Sequence, residues 1–177
     1  MTIKQMQCLL AYLGFYAGGL DGIWGPMSAG AEAGFRLTYG LDNEPLEAAL
    51  LDAVGGKLEV RDPWEGVKWF KKEEFRCHCG GEHCDGYPAQ VDARLLDLAD
   101  RVREHFGAPM LISSGLRCPV HNQNVGGVAN SRHMTGKAMD FRIRNQGSAK
   151  VLEYALSMPQ VRYAYAIDGN YIHMDVE

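Results

Sequence analysis

A charged stretch without periodic hydrophobicity divides this chain into two unequal parts. The stretch GKLEVRDPWEGVKWFKKEEF (56–75) contains Pro63 and shows neither the period of a helix nor the alternation of a strand. Before it, apolar residues recur at helical spacing, and after it helical and strand patterns are mixed. We therefore predict a domain at 1–56, a linker at 57–66 and a second domain at 67–177.

The first part of the chain predicts a small three-helix bundle. Apolar residues recur at helical spacing over 3–14 and 46–54, and an alanine-rich segment over 27–36 lies between them. Glycines end the first and third segments. Cys8 repeats with the apolar residues of the first helix, so we expect it to be buried. A bundle this small buries little surface, which favours adhesion over catalysis.

The second part predicts an α+β fold. A helix begins near Asp92 and ends at Gly107, and PMLIS after it is typical of a buried strand. A glycine- and asparagine-rich loop at 115–132 leads to an alternating strand at 138–143. A further helix over 148–158 precedes a hairpin that turns at Asp168–Gly169.

Two histidines and an aspartate form a candidate metal site. His133 and Asp140 are seven residues apart in SRHMTGKAMDF, with the small residues Gly136 and Ala138 between them, and His173 lies on the last predicted strand. A catalytic zinc site takes three such ligands and keeps a fourth position open. The spacing alone also fits a loop histidine, a strand-edge charge and a hydrogen-bonded hairpin histidine.

Three ordered motifs strengthen the metal interpretation. The segments SSGLRCPVHNQNVGG, NSRHMTGKAMDF and YIHMDV resemble the zinc D-alanyl-D-alanine peptidases, which include bacterial carboxypeptidases and phage endolysins and are related in structure to Hedgehog domains. The resemblance covers about residues 70–177 and implies a small antiparallel sheet with flanking helices. It implies that His133, Asp140 and His173 bind Zn²⁺ and that Arg117 holds the substrate peptide, so that water activated by zinc attacks a peptide carbonyl.

A second resemblance covers the first part of the chain. LLAYLGFYAGGLDGIWGPMSAGAEAGF is similar to the three-helix peptidoglycan-binding module, whose mark is a glycine-rich turn between helices. Phe15 stands where the module usually has tyrosine, Met27–Ser28 replaces Lys-Thr, and Phe35–Arg36 replaces Phe-Gln. Both resemblances imply the same partner, bacterial cell-wall peptidoglycan.

The general base is the least defined part of the predicted site. Relatives place an acidic residue or histidine three to five positions before the last ligand, where this chain has Asp168 as its only acidic residue. Asp168 is our candidate catalytic base, although Asp-Gly is also a favoured hairpin turn. Asp175 is the alternative, and we favour a role for it in orienting a ligand imidazole.

Four of the five cysteines form a second candidate cluster. The segment CHCGGEHC contributes Cys77, Cys79 and Cys84, and Cys118 follows Arg117. The spacing is not that of a standard zinc finger, so both a structural zinc and disulfides to Cys118 stay open. A zinc-dependent nucleic-acid module would need a basic surface, whereas the net charge is −4.

These patterns predict a zinc metallopeptidase that cuts peptidoglycan stem peptides or cross-links. We expect a monomer without nucleic-acid partners or a membrane span. The first apolar run lacks the features of a signal peptide, so we expect synthesis in the cytoplasm and action on the cell wall, as for a phage or prophage endolysin. The alternative is a non-catalytic wall-binding protein that keeps the zinc scaffold.

Overall fold

Six α-helices and four β-strands make up the fold in the computed structural model, which describes residues 1–177. The α-helices are α1 (Ile3–Tyr12), α2 (Pro26–Tyr39), α3 (Leu46–Val54), α4 (Ala93–Phe106), α5 (Pro119–Asn124) and α6 (Ser148–Leu156). The strands are β1 (Met110–Ser114), β2 (Ala138–Ile143), β3 (Tyr163–Ala166) and β4 (Ile172–Asp175). Two short 3₁₀ helices cover Lys72–Phe75 and Arg132–Thr135.

The strands form one antiparallel sheet in the order β1-β2-β4-β3. The predicted α+β class and small antiparallel sheet are therefore confirmed. β2 and β4 are the inner strands, and their register pairs Asp140 directly with His173. The register of β1 shifts between Ile112 and Ser114, opposite Asp140. Such irregularities often re-aim side chains next to active sites.

The first three helices enclose a small core of their own, centred on Leu10, Phe35 and Leu50. α1 begins at a capping box in which Thr2 and Gln5 bond each other's backbone amides. The structure differs from the sequence prediction at Cys8, which is exposed. The neighbouring residue faces inward instead, because buried Gln7 donates to Asp21 and to the Ile23 carbonyl, and so holds the glycine-rich turn.

The helical part packs against the rest of the chain through α2 and α4. The Arg94 side chain lies against Gly34 and over the Phe15 ring, and its guanidinium donates to the Glu177 backbone carbonyl at 2.7 Å. One buried arginine thus joins the first helices, α4 and the chain's last residue. The domain boundaries at 57–66 stay a prediction, since packing does not show which part folds alone.

The predicted loop at 115–132 contains more regular structure than expected. Pro119 begins the short helix α5, and the Cys118 sulfur accepts the His121 amide as its N-cap. His133 lies within a 3₁₀ helix, which the left-handed residue Gly136 ends. Elements this short have no hydrophobic period, so the sequence pattern could not predict them. No helix is both long enough and apolar enough to cross a membrane.

Candidate metal centre

The three predicted ligands converge on one point at the surface of the inner strands. Asp140 lies on β2, His173 lies opposite it on β4, and the 3₁₀ helix before β2 brings His133 against both. Gly136 makes the return from that helix possible, because its φ of 72° is costly for any residue with a Cβ. The sequence prediction that these three residues lie together is matched by their positions.

Two of the three distances between the ligand atoms match a tetrahedral zinc site, and the third is shorter. His133 Nε2 lies 3.3 Å from Asp140 Oδ1 and 3.3 Å from His173 Nδ1, and His173 Nδ1 lies 2.8 Å from Asp140 Oδ1. Ligands at about 2.0–2.1 Å from a tetrahedral zinc are separated from one another by about 3.3 Å. His133 and Asp140 are buried, and His173 is nearly so.

Hydrogen bonds on the far side of each imidazole define which nitrogen faces the site. His133 Nδ1 lies 2.7 Å from the Gly115 carbonyl, so that nitrogen must carry the hydrogen and Nε2 presents a lone pair. His173 Nε2 lies 3.4 Å from Asp175 Oδ2, which favours the hydrogen there and a lone pair on Nδ1. When both imidazoles are neutral, three electron-pair donors therefore face one another at Asp140 Oδ1, an arrangement that a shared cation, either a proton or a metal ion, stabilises. The residues therefore fit a zinc ion.

The charges of the centre also favour a cation. Burial acts to raise the pKa of Asp140, but the hydrogen bonds with His133 and His173 outweigh it and hold that pKa well below its ordinary value. Burial acts to lower the pKa of His173, but Asp140 and Asp175 outweigh it and raise that pKa. The centre thus attracts positive charge, and a proton and a metal ion compete for the same position.

Two arginines hold the carboxylates that surround the centre. Arg117 donates to Asp140 Oδ2 at 2.5 Å and to Ser114 Oγ at 2.8 Å, which leaves Asp140 Oδ1 directed at the histidines. Arg162 binds Asp175 through two hydrogen bonds of 2.9 and 2.7 Å. Each carboxylate is therefore fixed by a planar guanidinium before any ion binds.

Asp168 lies apart from this arrangement. Its Oδ1 accepts the backbone amides of Asn170 and Tyr171 at 2.7 and 2.8 Å in the hairpin between β3 and β4, and the side chain is exposed. Those two amides hold its pKa below the ordinary value. The structure does not bring Asp168 into contact with the three ligands, and its role as a base stays a prediction.

Comparison with known proteins decides the family. Residues 68–175, more than half of the chain, match the sequence model of peptidase M15. The chain belongs to the peptidase M15 family. All three candidate ligands and Arg117 lie within the matched residues of this peptidase M15 member.

A curated relative extends the similarity beyond the peptidase region. The chain is 28% identical over 160 residues to the "Zinc D-Ala-D-Ala carboxypeptidase" of Streptomyces albus G. The match covers 87% of this chain, more than residues 68–177 alone can supply, so it reaches into the N-terminal helices. This chain spans 62% of the relative's length.

Sequence reasoning missed three groups that shape the centre of this peptidase M15 member. These are the Gly115 carbonyl, Arg162, and Tyr165, whose ring stacks on His173 with centroids 5.0 Å apart. A backbone carbonyl carries no sequence signal. Tyr165 was not predictable from the expected hairpin either, because a two-residue turn at Asp168–Gly169 would pair it with Ile172, whereas the observed register pairs it with His173.

Proposed function

We propose that this chain is a zinc-dependent peptidase that hydrolyses peptide bonds in bacterial peptidoglycan. The observation that carries the proposal is the convergence of His133, Asp140 and His173 on one point within the residues that match peptidase M15. Three protein ligands with room for a fourth are typical of catalytic rather than structural zinc. The relative's name, a zinc D-Ala-D-Ala carboxypeptidase, supports both the metal and the substrate class.

The side chains around the centre have different roles in the proposed reaction. His133, Asp140 and His173 would hold the zinc ion, and Asp175 keeps the His173 ring oriented. When bound there, the ion would supply Lewis acidity, which lowers the pKa of a water to about 7 and polarises a carbonyl oxygen. Because the outer partners are already in place, little side-chain reorganisation accompanies binding.

Arg117 is our proposed substrate-binding residue. Its Nε and one terminal nitrogen bond Ser114 and Asp140, and no protein hydrogen bond engages its Nη1. A guanidinium N–H beside the ligands is suited to a peptide carbonyl or a terminal carboxylate. The same residue would then hold the ligand Asp140 and the substrate together.

The peptide bond that is cut and the biological setting of the enzyme are further parts of the proposal. We propose cleavage of stem peptides or cross-links, as D-Ala carboxypeptidase or endopeptidase, by a monomer made in the cytoplasm that acts on the wall as a phage or prophage endolysin. We also propose that the N-terminal helices bind peptidoglycan. The turn that resembles the binding module is held by the buried side chain of Gln7, which supports that assignment. The alternative stays a non-catalytic wall-binding protein.

Digestion of purified cell wall tests the proposal. The wild-type protein with zinc is expected to release peptides with new termini, identified by mass spectrometry, and a chelator is expected to stop the release. The new termini distinguish carboxypeptidase from endopeptidase cleavage. Sedimentation with insoluble wall measures binding separately, so binding without any zinc-dependent cleavage would favour the non-catalytic alternative.

Asp168→Asn separates the two roles of Asp168. Asparagine keeps the side-chain oxygen that accepts the turn amides but cannot take a proton, so a turn role predicts a kcat within about twofold of wild type. A general base contributes about 100-fold or more, so a fall of that size would instead establish the catalytic role. Steady-state kinetics on a synthetic stem peptide make the measurement, with Asp168→Ala as the comparison that removes both functions.

Asp175→Asn is expected to weaken zinc binding without removing a ligand. Loss of an outer carboxylate that orients a ligand histidine costs about 10–100-fold in metal affinity or activity. Competition with a chromophoric chelator measures the affinity. Arg162→Gln, which leaves the Asp175 carboxylate in place, is the matched control and should show a smaller loss. Equal losses in both variants would mean that zinc affinity depends on the ion pair between Arg162 and Asp175 rather than on the contact between Asp175 and His173.

A further inference from the structure

A second cluster of metal-binding side chains lies outside the candidate zinc centre. The thiol cluster consists of Cys77, Cys79, Cys84 and Cys118, whose sulfur atoms all lie within 4.8 Å of one another. Three of the four are buried, Cys84 is half-buried, and none forms a disulfide. The cluster draws together two segments that are far apart in the chain.

The sulfur positions fit one shared ion better than two covalent pairs. A tetrahedral zinc with bonds of about 2.3 Å holds its sulfurs about 3.8 Å apart. The Cys79 and Cys84 sulfurs are 3.4 Å apart, and every other pair lies within 4.8 Å. A disulfide needs about 2.05 Å between two sulfurs and requires no third or fourth thiol nearby. Convergence of all four on one point is required only by a common ligand.

Backbone amides point at the sulfurs of the thiol cluster. The Cys118 amide donates to Cys77 Sγ at 3.3 Å, and the His121 amide donates to Cys118 Sγ at 3.4 Å. Amide donors stabilise negative charge on sulfur, and the thiolate is the form of cysteine that binds metals. Cys77 and Cys118 thus each have a backbone donor for a thiolate, whereas burial raises the pKa of the Cys77 thiol and raises that of Cys84 to about 12.

The loop that carries three of these cysteines has no regular secondary structure to hold it. No helix or strand lies between Phe75 and Ala93. Gly80 and Gly81 adopt left-handed conformations with open space around them, so their role is to let the backbone turn around the sulfurs. Ordered loops of this length without secondary structure are uncommon, and a bound ion would supply the missing anchor.

The thiol cluster also borders the segment that supports the zinc centre. Cys118 directly follows Arg117, and the Leu116 amide donates to the Phe75 carbonyl at 2.7 Å. Gly115 packs so closely there that an added Cβ would lie 2.5 Å from the Phe75 carbonyl oxygen. The Gly115 carbonyl in turn binds His133. An anchor at the cysteines would thus stabilise both Arg117 and the orientation of His133.

We propose that Cys77, Cys79, Cys84 and Cys118 bind a structural zinc ion, separate from the one at His133, Asp140 and His173. Four thiolates form a soft donor set that selects zinc or iron over magnesium or calcium. All four positions of a tetrahedron are filled by protein, which is typical of structural sites and leaves no place for substrate.

Metal counting on the full-length protein tests the proposal. Protein purified under reducing conditions is expected to contain two zinc ions per chain by plasma mass spectrometry. Cys84→Ser and Asp140→Asn are each expected to contain one. Cys8→Ser, the same change at the exposed cysteine on α1, is the matched control and should keep two. Asp140→Asn should keep the cysteine-bound ion. The test of the cysteine site therefore does not depend on whether the centre at His133, Asp140 and His173 binds zinc.

Cobalt substitution identifies the ligands without depending on a variant that folds. Cobalt-loaded wild type is expected to show the near-ultraviolet thiolate-to-cobalt charge-transfer band, and Asp140→Asn should retain it. The proposal is overturned by one zinc per chain with all five cysteine thiols reactive, by one zinc with a mass lower by four hydrogens, as two disulfides require, or by iron at the cluster. A wild-type protein with two zinc ions but no thiolate band after cobalt exchange would also overturn it.

Discussion

Asp140→Asn is expected to abolish zinc binding at the candidate centre and to lower peptide hydrolysis by well over a hundredfold. The substitution removes the only charged ligand and leaves Arg117 and two histidines around a neutral amide. Loss of an outer partner costs about 10–100-fold, and loss of a ligand must exceed this. Zinc content and hydrolysis of purified wall, measured on the same preparation, test the expectation.

The control for this prediction is Asp97→Asn. Asp97 lies on α4, where it pairs with Arg101 at 3.5 Å and does not contact the ligands, so the same chemical change should leave zinc content and rate near wild type. Thermal denaturation of both variants shows whether the fold survives. If Asp140→Asn keeps its full zinc content and still cleaves the wall, the assignment of the centre is wrong.

Gly136→Ala is expected to cause the largest loss of stability of any single methyl addition near the centre. Its φ of 72° lies in the left-handed region, and an added Cβ would overlap the Gln90 carbonyl oxygen. A left-handed alanine costs about 1–2 kcal/mol and overpacking against rigid backbone about 1–3 kcal/mol. Together they predict a loss of about 3 kcal/mol, or a fall in Tm on the order of 10 °C.

Gly126→Ala separates the two causes. Gly126 has the same φ of 72°, but no atom lies within 4 Å of the position a Cβ would take. It should therefore show only the conformational cost, about 1–2 kcal/mol. Calorimetric unfolding of both variants gives the difference, which measures the clash with Gln90. Equal losses would show that the backbone at Gln90 moves away readily.

The sequence indicated that the three candidate ligands form one group, because each carries its own signal, and the structure places them together. His133 and Asp140 fall in one motif, and the alternation of the last strand places His173 on a face with Asp175. The contacts that orient these ligands were not predictable. Arg162 reaches Asp175 across the β3–β4 pair, and the Gly115 carbonyl reaches His133 from another loop, so both depend on tertiary packing.

The N-terminal helices show a similar division between what the pattern predicts and what packing decides. Their existence followed from the hydrophobic period and their ends from glycines, and three helices are present as expected. The hydrophobic period did not predict correctly which residues of the first helix face inward. Gln7 rather than Cys8 points inward, because its amide has polar partners in the glycine-rich turn that a thiol could not replace.

The inner position of β2 and β4 in the sheet has a consequence for metal exchange. Both strands are hydrogen-bonded on each side, so two of the three ligands are attached to the segments of the sheet least able to open locally. An arriving ion meets ligands that folding has already ordered. We therefore expect zinc and cobalt to replace one another in the folded protein, without the slow step that local unfolding would impose.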